Sequence, residues 1–126
     1  MTIKTFFTIF SVLALVFGAG FVLAPDQVGS NYGMEHSPTA ALMARFFGGA
    51  LLAWGLILWF ARDFRDEAAV RAVLIGTGAA DVVSLIVAVM GTVSHTTNAL
   101  GWSTALIYLL SALGCGYFLM VRSSKA

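Results

Sequence analysis

The sequence predicts an all-α protein, a bundle of four transmembrane helices with both termini on the cytoplasmic side. Three observations predict it. Four apolar runs each approach or exceed the roughly 20 residues that a helix needs to cross hydrocarbon. The chain is 60% hydrophobic and 10% charged, against about 25% charge in an ordinary soluble domain. Of its seven Lys and Arg residues, all but one fall on one side of the alternation that the runs define.

The first run extends from Thr5 to Ala24. Lys4 followed by a Phe/Val/Leu stretch also resembles a secretory leader. The run, however, outlasts the 7–15 residues of a leader core, and Pro25 follows Val22-Leu23-Ala24 directly, so a retained helix is expected. Residues 25–39 hold both prolines with Gly, Ser and Asn, and read as a surface loop. The second run, Ala41 to Ala61, is separated from the third, Val70 to Thr92, by a charged turn with Arg62, Asp63, Arg65, Asp66 and Glu67. The acids of that turn precede the third helix and suit its dipole. A short polar segment, 93–101, leads to the fourth run, Trp102 to Val121. Nothing suggests a linker or a repeat, so residues 1–126 are expected to form a single integral membrane domain.

Lys4, Arg62, Arg65, Arg71, Arg122 and Lys125 lie on one side, and Arg45, inside the second run, on the other. The positive-inside rule then places both termini and the central turn in the cytoplasm. The loop with Asp26, Tyr32, Glu35 and His36 lies outside, as does the loop with His95 and Asn98. Trp59 and Tyr117 suit the inner membrane boundary and Trp102 the outer one, whereas Trp54 is deep enough to pack between helices.

Scattered basic residues and a net charge of +1 provide no basic face for nucleic acid, which is excluded as a partner. Cys115 is the one cysteine, so an intramolecular disulfide and Cys-x-x-Cys chemistry are excluded as well. His36, His95 and Glu35 share a side but no metal-ligand spacing. No nucleophile or acid–base pair stands at recognisable spacing, and no catalytic residue, metal ligand or cofactor is assigned.

Two ionisable residues fall inside the runs, Arg45 towards the outer end of the second and Asp81 at the middle of the third. Each costs about 2.5–3.5 kcal/mol at mid-membrane and is expected to face the bundle interior. A vertical gap of roughly 9 Å separates them, from 1.5 Å of rise per residue. Around them, Thr77, Asp81, Ser84, Ala88 and Gly91 form one stripe of the third helix, and Gly101, Thr104, Tyr108, Ser111 and Cys115 one of the fourth. Arg45, Gly48 and Gly55 share a face of the second helix, with Gly49 and Ala53 beside it at the small-xxx-small spacing of close helix contacts. The first helix offers Ser11, Ala14 and Gly18 as its smaller face, and its bulky Phe6, Phe10, Phe17 and Phe21 to lipid or to a seam.

Three readings of this centre stand. In one, Arg45 and Asp81 are a buried pair that fixes register. In another, a cavity open to the outer side binds a ligand, with Asp81 taking a proton or cation, Arg45 holding an anionic group, and Ser84 and Tyr108 orienting it. In the third, Arg45 snorkels to the headgroups without a partner.

The opening Arg45-Phe-Phe-Gly48-Gly49, the charged turn after that helix and the stretch Asn98-Ala-Leu-Gly-Trp102 carry a resemblance. From about Ala40 to Met120 the chain resembles small four-helix bacterial inner-membrane proteins of the DoxX-like kind. The resemblance implies a four-helix bundle in the cytoplasmic membrane. The expected function is that of an accessory or assembly subunit without catalytic activity, in contact with the lipid bilayer and with copies of itself or a larger membrane complex. The alternative is a small transporter or a lipid- or quinone-binding protein that uses the Asp81/Arg45 site.

Overall fold

The computed structural model describes residues 1–123; Lys125, counted above with the basic residues, lies outside them. The described chain is all-α: α1 (Ile3–Leu23), α2 (Pro25–Asn31), α3 (Pro38–Ala61), α4 (Glu67–Val93) and α5 (Gly101–Ser123). The helices α1, α3, α4 and α5 are long and apolar enough to cross a membrane. The 21 residues of α1 extend about 32 Å, close to the roughly 30 Å of a hydrocarbon core. The chain is thus a multi-pass membrane protein whose apolar helices meet the lipid bilayer.

All four long helices start before their apolar runs do, three of them because capping groups lie in the polar connections. Thr2 caps α1 by accepting from the Thr5 N–H. Ser37 caps α3 by accepting from Ala40 N–H at 3.0 Å, with Pro38 in the first turn. Asp66 accepts from Ala68 N–H and Glu67 occupies the first turn of α4, which suits its dipole. Apolar runs mark what lipid covers, and caps mark where hydrogen bonding begins, so α3 and α4 each gain a turn at their N-termini over the expected spans.

The segment 25–39, expected as a loop, is helical in its first half. Pro25 starts α2 with its φ preset, Asp26 sits in the first turn, and Gln27 bonds Asn31 one turn on. Gly33, at φ 71°, ends the segment in the left-handed conformation.

The chain divides into two compact units, Met1–Arg62 and Asp63–Ala126. The first is a hairpin of α1 and α3, with α2 across its connection. Gly18 of α1 meets Gly48 of α3 so closely that a Cβ on either would lie under 3.0 Å from the other's carbonyl oxygen. Leu15 covers Gly55, and the buried Ser11 hydroxyl donates to the Gly55 carbonyl at 2.8 Å. Phe6 and Phe7 are buried at the start of α1, as are Leu58 and Ala61 at the end of α3. Phe6 therefore fills the seam, and Phe21 packs edge-on against Phe47.

The second unit is a hairpin of α4 and α5. Val70, Leu74, Thr77 and Asp81 are buried on α4, and Ala105, Ser111, Cys115 and Phe118 on α5. Glu67 and Arg122 form an ion pair between the start of α4 and the end of α5. At the other end, the Thr92 hydroxyl donates to the Ala88 carbonyl at 2.8 Å and lies 3.2 Å from the Thr97 hydroxyl, against Gly101.

Candidate functional site

Asp81 lies midway along α4 and is 2% exposed. Gly78, three residues before it on the same side of the helix, has no side chain, so α5 can approach there, with Cys115 against it. The Ser111 hydroxyl, itself buried, donates to the Asp81 carboxyl. Ser111 belongs to the stripe expected on α5 but was not among the expected site residues. Antiparallel register explains its place: once the 94–100 connection sets Thr92 beside Gly101, Asp81 falls opposite Ser111.

The same register places Ser84 and Tyr108 one turn further along this seam, both half-buried. Three of the four expected site residues, Asp81, Ser84 and Tyr108, thus share one face of one hairpin. A carboxyl flanked by hydroxyls and a thiol can hold or pass a proton and can accept hydrogen bonds from a small polar ligand. Its first use here is to join the two helices.

Arg45 belongs to the other hairpin. It is exposed, two turns into α3, and its Nε–H donates to the Val22 carbonyl at 3.3 Å. That carbonyl is in the last turn of α1, where no intrahelical donor remains and no basic residue of α1 stands. Arg45 therefore supplies from the neighbouring helix the positive charge that suits a helix C-terminus. Arg45 and Asp81 are held in different hairpins, each with a partner of its own. The face with Gly48 and Gly55, expected to line a centre shared by three helices, is filled by α1.

At the connections, His36 Nδ1 lies 3.2 Å from Asp26, and the Arg62 guanidinium stacks 3.6 Å from the Trp59 ring centroid. Such stacking lets a cation sit at the membrane boundary on an aromatic face. Trp102, at the start of α5, is 50% exposed, whereas Trp54, within α3, is partly buried.

Ser111→Ala is expected to lower the stability of the full chain in detergent by about 0.6–1.7 kcal/mol, the range for hydrogen bonds between membrane helices. Asp81→Asn, which keeps an acceptor oxygen, should cost less. Unfolding followed by circular dichroism measures both, and an Asp81→Asn loss larger than that of Ser111→Ala would show that the carboxyl's charge matters more than the bond.

No protein-family model matches the chain, nor does any curated protein or any solved structure.

Proposed function

We propose that the chain is a non-catalytic accessory or assembly subunit, a DoxX-like protein of the cytoplasmic (inner) membrane with both termini in the cytoplasm. The distribution of Lys and Arg supports that orientation. One observation carries the functional reading: both ionisable residues within the spans, Asp81 and Arg45, are used to hold the hairpins. Ser11 bonds Gly55, Ser111 bonds Asp81 and Arg45 bonds Val22. What α4 turns outward instead is Ala72, Gly76 and Ala80, all exposed and four residues apart, and a Cβ on Gly76 would meet nothing within 4 Å. Such spacing lets a helix of another chain, or of a second copy, approach backbone to backbone.

Native mass spectrometry of the gently solubilised protein tests this. The expected species is a complex heavier than the 13.3 kDa chain, weakened about tenfold, or roughly 1.4 kcal/mol, by Gly76→Leu and unchanged by Asp81→Asn. A bare monomer that retains a small molecule, and loses it with Asp81→Asn, would replace this reading with the transporter or lipid/quinone-binding one.

A further inference from the structure

We propose that Arg45 is a binding site for the phosphate of an anionic phospholipid, at the level where α1 ends and the loop to α3 begins. The position of the guanidinium follows from the bond already described. The Cα of Arg45 lies roughly 10 Å along α3 from its first residue, below the membrane boundary. Its Nε, however, is held 3.3 Å from the carbonyl of Val22, one residue short of the end of α1. Because α1 matches the hydrocarbon thickness, this bond lifts the guanidinium to the depth of lipid glycerol and phosphate.

Arginine has five N–H donors, and one is used here. Within this hairpin no carboxylate among the described residues is in ion-pair reach of Arg45, and Asp26 at the same end is engaged with His36. The remaining fork of donors is exposed and fits two phosphate oxygens at once. Leu42, one turn before Arg45 on the same side of α3, and Leu23, next to Val22, are exposed at 51% and 81%, as apolar surface for the glycerol and upper acyl chain. A cation with no acid beside it favours a lipid of net negative charge over a zwitterionic one, whose own cation offsets the phosphate.

The test is native mass spectrometry of the full chain in detergent with equal amounts of phosphatidylglycerol and phosphatidylcholine. Wild type is expected to retain one phosphatidylglycerol with about fivefold preference. Arg45→Gln should remove that preference, and Arg45→Lys, a point charge without the fork, should keep part of it. Equal retention of the two lipids by wild type overturns the proposal, and this arm needs no folded variant. So does an unchanged preference in Arg45→Gln. Displacement of phosphatidylglycerol by millimolar inorganic phosphate would assign the site to a free anion and overturn the lipid assignment.

Discussion

Gly48→Ala is expected to destabilise the α1–α3 hairpin by about 1–3 kcal/mol, while the same change at the adjacent Gly49 is neutral or slightly stabilising. The two glycines are about 100° apart around α3. A methyl on Gly48 would lie 2.8 Å from the Gly18 carbonyl oxygen and 2.9 Å from Phe21 Cβ. The carbonyl is backbone and cannot rotate aside, so the helix axes must part. Parting also stretches the Ser11 bond to Gly55, which crosses the same seam. A methyl on Gly49 would meet nothing within 4 Å, and alanine is the better helix former. Thermal or denaturant unfolding of the two full-length variants in one detergent measures the difference. Equal stabilities would mean that α1 and α3 do not meet through Gly18 and Gly48.

Gly101→Ala is expected to weaken the α4–α5 hairpin by a similar amount, about 1–3 kcal/mol. Here the obstacle is a pair of hydroxyls: a Cβ on Gly101 would fall 2.1 Å from Thr92 Oγ1 and 2.6 Å from Thr97 Oγ1. Thr92 is buried, and its hydroxyl already bonds the Ala88 carbonyl. Turning it away breaks that bond and its contact with Thr97 together. The collision predicts coupling: Thr92→Ala combined with Gly101→Ala should lose less than the two single losses added, by about 1 kcal/mol. Strict additivity would place the damage elsewhere in the turn.

The spans were legible in the sequence because apolar length is a property of each helix alone. The buried faces were legible for the same reason: Thr77 and Asp81 on α4, Ser111 and Cys115 on α5, and Ser11 and Gly18 on α1 recur at helical spacing. Which face meets which helix is a property of pairs, and periodicity does not contain it. On α3 both Gly48 with Gly55 and Gly49 with Ala53 are rows of small residues, yet only the first is closed by α1. The partner of Asp81 depended on the register set by the 94–100 connection, and the partner of Arg45 is a backbone oxygen, which no side-chain pattern announces. The short helix α2 did leave signs, Pro25 and Asp26 at its start and Gly33 beyond its end, but turn residues around them favoured the loop reading.

Each seam joins consecutive spans, with Ser11 bonding Gly55 across 44 positions and Ser111 bonding Asp81 across 30. Such pairing matters during synthesis, since the α1–α3 seam draws on nothing beyond residue 62. At about 5–20 residues per second, the following half of the chain takes roughly 3–13 s to emerge. The first hairpin therefore has its whole seam synthesised before either helix of the second, so its closure does not have to wait for α4 or α5.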